Sequence, residues 1–252
     1  MAYCMTNKLH CFYRISDKGN PLGRTELGDT YLKTVTRRKC FNNFLEAFGT
    51  DNLHVICDNC NEDTIAFIKS KGVEDVEITS FGNTRSFMYL IDRATSELHE
   101  GDIAYFVEDD YLHTKDARQY IFEGIRLGDY VSLYDSFDKY RNASEGGNNP
   151  LIYGGGEDTK VLLGQTTHFK KSNATTCTFA SLVDTLRADY SIIAKYCQPQ
   201  FPHPSDFAMF RELIDHRSRV LVNPLPGKAM HVGLEPSPFV DWETIVKCLK
   251  ED

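Results

Sequence analysis

Two rhythms of apolar and polar positions alternate along the first half of the chain. Four short apolar runs, Leu9 to Ile15, Leu53 to Cys57, Val73 to Ile78 and Ile103 to Val107, are rich in β-branched and aromatic residues and read as strands. Between them the apolar residues recur at helical spacing. Phe41, Phe44, Leu45 and Phe48 form one stripe, closed by Gly49. Ile65, Phe67 and Ile68 mark a short helix that Gly72 ends, and Phe87, Leu90, Ile91, Ala94 and Leu98 make the longest stripe, with Asn83 and Thr84 as caps. Strand and helix in strict alternation predict a mostly parallel sheet with right-handed crossovers.

The second half is less regular. A helix is predicted over 117–125 and a strand over 130–134. Residues 141–156 are polar and glycine-rich, the composition of a loop that is either a connector or a lid. Strands follow at 161–169 and 175–179, helices at 182–196 and 207–214, and a last strand at 220–222. No repeat or linker interrupts this order. The expectation is one α/β domain over 1–252, with 1–114 as one half and 115–252 as the other.

The fourth strand ends in three consecutive acids, Glu108, Asp109 and Asp110. Adjacent carboxylates repel one another and resist desolvation unless positive charge sits among them. Hard oxygen ligands suit Mg2+ or Mn2+, and ligands of open α/β sheets bind beyond the carboxyl ends of the strands. Asp is also a common turn and helix-cap residue, so the triplet by itself leaves both readings open.

Composition narrows the classes. The chain has 252 residues, 41% of them hydrophobic, enough for a large core. A formal charge of −8 argues against nucleic acid as a partner, though not against a nucleotide bound through a metal. No apolar run is long enough to span a membrane, and Met1 to Lys8 lack a signal peptide's apolar stretch, which together predict a cytoplasmic protein. Eight cysteines include one C-x-x-C, Cys57 and Cys60, without the second ligand pair of a zinc site, so buried thiols are expected.

An acid triplet after the fourth strand of such a unit resembles the DxD motif of GT-A glycosyltransferases, in the E-D-D form seen in N-acetylglucosaminyltransferases of that fold. Val55-Ile56-Cys57-Asp58-Asn59 is similar to the segment whose terminal acid meets the nucleoside. Gly82-Asn83-Thr84-Arg85-Ser86 resembles the segment bordering base and phosphates, Ser205-Asp206-Phe207 the x-E-D element carrying the base of inverting members, and Ala229-Met230-His231-Val232-Gly233 the C-terminal H-x-G stretch. The resemblance implies a GT-A-like, Rossmann-type sheet flanked by helices, with a smaller mixed sheet on the acceptor side. It implies a metal-dependent transferase moving a hexosyl or related sugar from a UDP- or GDP-sugar to a glycan or glycoconjugate hydroxyl, with inversion.

In that reading Asp110 and His231 hold Mn2+ or Mg2+. Glu108 and Asp109 take metal-bound water or ribose hydroxyls. Asp58 meets the nucleoside, Asn83 and Arg85 border the phosphates, and Asp206 is the general base. Each residue has a plainer role beside this one: Asp58 as turn residue, Arg85 as solvated helix-start cation, Asp206 as N-cap, His231 as core histidine. Glu157, Asp158 and Asp184 are the next carboxylates, and Tyr153, Phe169, Thr166, Thr167, His168, Lys170 and Thr176 the polar or stacking side chains for an acceptor. Three other classes compete: a metal-dependent hydrolase, a non-catalytic nucleotide-sugar-binding module, and a sugar nucleotidyltransferase. The last opens with a G-x-G-T phosphate loop that Arg14 to Asn20 lacks.

Overall fold

The chain folds into eleven strands and seven helices among its described residues. In chain order these are β1 (Leu9–Ile15), α1 (Arg37–Phe48), β2 (Leu53–Asp58), α2 (Glu62–Ser70), β3 (Asp75–Thr79), α3 (Asn83–Glu97), β4 (Ile103–Glu108), β5 (Tyr111–His113), α4 (Ala117–Gly124), β6 (Tyr130–Val131), β7 (Val161–Leu163), β8 (His168–Ser172), β9 (Phe179–Leu182), α5 (Val183–Tyr196), α6 (Asp206–Arg217), β10 (Leu221–Leu225), β11 (Ala229–His231) and α7 (Trp242–Lys247). The structure, a computed structural model, describes residues 7–18, 22, 30–236 and 239–251. Residues 1–6 of the N-terminal run, and Gly19 and Asn20 of the Arg14–Asn20 segment, lie outside these.

The architecture is α/β, a mostly parallel and partly mixed sheet flanked by helices, with a small second sheet. The described residues group into two units. One draws on Met1–Gly19, Thr50–Glu108 and Thr176–Arg219, the other on Asn20–Gly49, Asp109–Thr175 and Val220–Asp252.

In the first unit β1 to β4 are all parallel, in the order β3-β2-β1-β4, and β9 pairs antiparallel with β4. Their apolar runs are buried on both faces, as a sheet covered by helices requires. An aromatic ladder fills the space beneath α3 and α6: Phe12 lies 5.4 Å from Phe106, Phe106 5.5 Å from Phe179, and Phe179 5.2 Å from Phe210. The α3 stripe of Phe87, Leu90, Ile91 and Ala94 is buried as its periodicity predicts, but its N-cap is Gly82 rather than Asn83 or Thr84. Gly82 has φ +83°, a conformation that glycine adopts without strain.

In the second unit β6, β10, β8 and β7 are adjacent in that order, and β11 pairs antiparallel with β5. The single strand expected over 161–169 is two, β7 and β8, with a turn between them. The strand expected over 175–179 begins only at Phe179. The three-residue strands β5 and β11 and the helix α7 carry too few periodic positions to be read from sequence. They have a core of their own, in which Leu32, Val35, Cys40, Leu112, Met230, Val232, Trp242 and Val246 pack together. The aromatic stripe of α1 packs on β5: His113 is fully buried, with Phe44 and Phe48 edge-on to its ring, and the Asn43 amide bonds both the backbone N–H and the carbonyl of His113.

Seven described cysteines are free thiols, and five of them are buried. No described helix is long and apolar enough to cross a membrane.

Candidate functional site

The parallel strands of the first unit place a line of polar groups at their carboxyl ends. The strand order turns back between β1 and β4, where successive crossovers leave in opposite directions and ligands of open α/β sheets collect. At that point Arg14 and Glu108 are register partners. Arg14 is buried, and its Nη2 lies 2.7 Å from Glu108 Oε1. Its Nη1 donates to the carbonyl and Oδ1 of Asn83, each at 2.6 Å, and to Ser86 Oγ at 3.2 Å. One guanidinium therefore ties β1, β4 and the first turn of α3 together, using the forked donors that a lysine lacks.

Asp58 closes β2 and is 2% exposed. Its Oδ1 accepts from Phe81 N at 2.6 Å and Thr79 Oγ1 at 2.9 Å, and its Oδ2 from Gly82 N at 3.0 Å and Asn59 Nδ2 at 2.9 Å. Both oxygens thus hold the turn that delivers Asn83. Arg85, one turn into α3, is exposed and sits over the Phe81 ring at 5.4 Å. It lines a cavity of about 320 Å3 with Met88, Tyr89 and Tyr190 and takes no part in the Arg14 cluster.

Asp206 opens α6, and its Oδ1 accepts from Phe207 N at 2.7 Å. The buried Cys177 thiol locates it further. Burial pushes that thiol well up, the carboxylates of Glu108 and Asp206 push the same way, and Arg14 opposes them. The charges of Arg14, Glu108 and Asp206 therefore all reach one thiol. Asp184 bonds the Gly101 N–H at 2.9 Å, in keeping with a structural role.

The remaining members of the triplet belong to the second unit. Asp109 Oδ2 lies 2.9 Å from Arg37 Nε. Asp110 precedes β5, and its carbonyl accepts from Val232 N at 2.7 Å. His231 is the register partner of Tyr111, with the rings edge to face at 4.9 Å. His231 Nε2 lies 3.4 Å from Asp110 Oδ2. The other carboxylate oxygen, Asp110 Oδ1, is buried and has no hydrogen-bond partner among the described residues. Beneath them the buried Cys40 thiol is pushed well up by burial and by the charges of Asp110 and Asp109.

Two arginines that sequence reasoning missed therefore share the triplet's charge. Arg14 interrupts an otherwise apolar strand, which is a signal for an anionic partner. Arg37 stands in the first turn of α1, where the helix dipole disfavours a cation unless an acid lies beside it. The charge left over is at Asp110. His231 Nδ1 lies 3.1 Å from the Val232 carbonyl and so carries the proton that it donates there. Nε2 then faces a carboxylate oxygen, a geometry that either a ring proton or a metal ion between the two would satisfy.

Among the described residues no group of three or more metal-ligating side chains gathers. The pair nevertheless fits a hard divalent ion. It offers one imidazole nitrogen and one carboxylate with an orphaned oxygen, and adjacent octahedral donors at ~2.1 Å from such an ion are separated by about 3 Å. Magnesium and manganese sites of this kind commonly complete their shell with water and substrate phosphate.

The acceptor contacts anticipated in the second half divide by burial. Phe169 and Lys170 are buried, and Tyr153 is 77% exposed. Glu157 is buried against Lys170, 3.2 Å from its Nζ.

No family model matches the sequence, and no curated protein does. Solved structures match its fold. GalNAc-T7, determined with UDP, GalNAc and Mn2+, superposes with a TM-score of 0.51 at 13% identity, over 92% of this chain and 44% of that one. The inositol-1-phosphate CTP transferase from T. maritima superposes with a TM-score of 0.50 at 11% identity, over 96% of this chain and 95% of that one. The fold is thus one common to a glycosyltransferase and a nucleotidyltransferase.

Proposed function

We propose that the chain is a metal-dependent glycosyltransferase that moves a sugar from a nucleoside-diphosphate sugar to a hydroxyl acceptor with inversion. The observation that carries this reading is Asp110, whose buried Oδ1 is unpartnered and whose Oδ2 faces His231 Nε2, just after the strand at the topological switch. An Mn2+ or Mg2+ ion held by Asp110 and His231 would supply Lewis acidity to a leaving diphosphate.

The chain's own groups supply the rest. Asp58 fixes the turn that presents Asn83, and Arg14 locks Asn83 and Glu108 in place for contacts to the nucleotide. Asp109, oriented by Arg37, faces water or ribose hydroxyls in this reading, and Arg85 is a second guanidinium for an anionic donor. Asp206 is the base. The acceptor oxygen attacks the anomeric carbon, the bond from that carbon to the phosphate oxygen breaks, and the hydroxyl proton passes to Asp206, giving an inverted glycoside and a nucleoside diphosphate.

A second reading, nucleotidyl transfer, draws on the likeness to the T. maritima CTP transferase over nearly the whole of both chains. The products separate the two. Incubation with Mn2+ and a panel of UDP- and GDP-sugars, followed by phosphorus NMR, is expected to show release of UDP or GDP. With pyrophosphate added, its consumption to give nucleoside triphosphate and sugar 1-phosphate, with no nucleoside diphosphate, would replace the first reading by the second.

A further inference from the structure

A cavity of about 120 Å3 opens in the second unit, next to the Asp110–His231 pair and built from residues that no motif singled out. Its floor is the buried Tyr134, whose ring lies 5.6 Å from Tyr111 and 6.2 Å from His231, and the more accessible ring in its lining is Phe137. Burial, and the charges of Asp138, Asp135 and Asp110, push the Tyr134 phenol up. Phe137 and Asp138 come from the 3-10 turn Phe137–Tyr140, and the far side is the Gly146-Gly147 backbone.

The charges in the lining are unequal. Arg141 and Glu235 neutralise each other in a two-pronged pair, at 2.7 and 2.8 Å, and Arg141 lies 4.3 Å over the Phe137 ring. Asp138 has no hydrogen-bond or ion-pair partner among the described residues. Its position is nevertheless fixed. The next residue, Lys139, is buried and donates to Ser172 Oγ at 2.8 Å and Asn223 Oδ1 at 3.4 Å. Tyr140 donates to Asp135 Oδ2 at 2.5 Å, and Asp135 Oδ1 is held 2.8 Å from the buried Lys170 Nζ. The fold thus anchors both flanks of Asp138 and leaves its carboxylate unengaged in the cavity.

That chemistry selects a class of ligand. The lining is net negative, which disfavours phosphate or a uronic acid. It combines the partly exposed Phe137 ring, for C–H contacts, with a fixed carboxylate that accepts from neighbouring hydroxyls. We propose that this cavity is a subsite for one uncharged monosaccharide ring, and that Asp138 binds it by accepting hydrogen bonds from its hydroxyls. The proposal rests on the glycosyltransferase reading only for what the ring is doing there. The ring comes either from the donor sugar or from the acceptor.

Saturation-transfer NMR on the full chain tests it. The probes are methyl glycosides of glucose, galactose, mannose and N-acetylglucosamine, and UDP- and GDP-sugars against free UDP and GDP. Sugar-ring protons of at least one probe should be saturated. Asp138→Asn, which keeps the shape of the turn, should weaken that binding about tenfold or more, while free nucleotide binds as before. Asn148→Trp, from the exposed rim of the cavity, should block it. Saturation of a methyl glycoside assigns the acceptor, and saturation of a nucleotide-sugar's ring alone assigns the donor. No saturated ring protons, or ring binding that both variants leave intact, would overturn the subsite. Sugar binding that depends on Asp138 in a protein indifferent to nucleotides would leave the subsite standing and sink the transferase reading. Nucleotide-sugar turnover indifferent to both variants would do the reverse.

Discussion

His231 turns its Nε2 toward Asp110 Oδ2 at 3.4 Å while its Nδ1 is held 3.1 Å from the Val232 carbonyl. A carboxylate and an imidazole so placed are matched to a cation, and Asp110 Oδ1 is buried without a partner. Asp110→Asn should therefore trade function for stability. Without metal the variant should resist urea better, by about 1 kcal/mol, because the charge on a partly buried carboxylate is removed. The Mn2+-dependent rise in melting temperature with a nucleotide-sugar should vanish. An unchanged Mn2+ response would remove Asp110 from the metal site.

Asp206 is placed to lose its catalytic role without losing its structural one. Its contact to Phe207 N needs only an acceptor oxygen, which asparagine retains. Asp206→Asn is expected to lower turnover by roughly 10²–10⁴-fold with donor affinity unchanged, as steady-state kinetics and a donor titration would show. Equal losses in both would point to a helix cap and nothing more.

Asp58 predicts the opposite division. Four donors converge on it, two of them the backbone N–H groups of Phe81 and Gly82. Asp58→Ala should destabilise the protein by roughly 2–4 kcal/mol, because buried donors are left unmatched, with Asp58→Asn intermediate. Urea denaturation of the pair measures this directly.

Lys170 stands between Asp135 and Glu157, at 2.8 and 3.2 Å, and is 2% exposed. Burial alone would push this amine down, but the two carboxylates and Tyr140 outweigh it and hold it above its ordinary value. Lys170→Met would strand two buried acids and should destabilise by about 3–5 kcal/mol. A loss much below 1 kcal/mol would mean that the acids are solvated.

Acid should weaken the protein through His113. Burial lowers this imidazole from 6.5 to about 3, so the folded state keeps it neutral while the unfolded chain protonates near 6.5. Between those values the unfolded state binds one more proton. The contribution is whole above about pH 6.5 and falls by about 1.4 kcal/mol per pH unit toward pH 3. His113→Phe should flatten that part of the pH–stability curve, measured by urea titration at pH 4, 5, 6 and 7.

The sheet was legible in the sequence because strands buried on both faces advertise themselves as unbroken apolar runs, and the α3 stripe because Phe87, Leu90, Ile91 and Ala94 repeat at one period over fifteen residues. β5 and β11 were not, since three residues carry no period and their core is assembled from segments far apart in sequence. Chain order also hides that α1 packs on β5. At the site, the acids stood out as a run, whereas Arg14 is a single cation and Arg37 one of three in a basic run, with partners 94 and 72 residues away. Asp138 is one acid in a polar stretch, and only the anchoring of Lys139 and Tyr140 distinguishes it from a solvated neighbour.

The buried Lys170 hub grips the glycine-rich segment at both its feet, Asp135 and Tyr140 at one and Glu157 at the other. A span clamped at its abutments can change its middle without shifting its footing. Substitutions at 143–145 and 148 should therefore be absorbed locally, whereas Gly146, at φ +86°, and Gly147, where a Cβ would collide with the Arg141 carbonyl, should resist replacement. This makes the crown of that loop the natural place to retune selectivity by design, with the frame beneath left untouched.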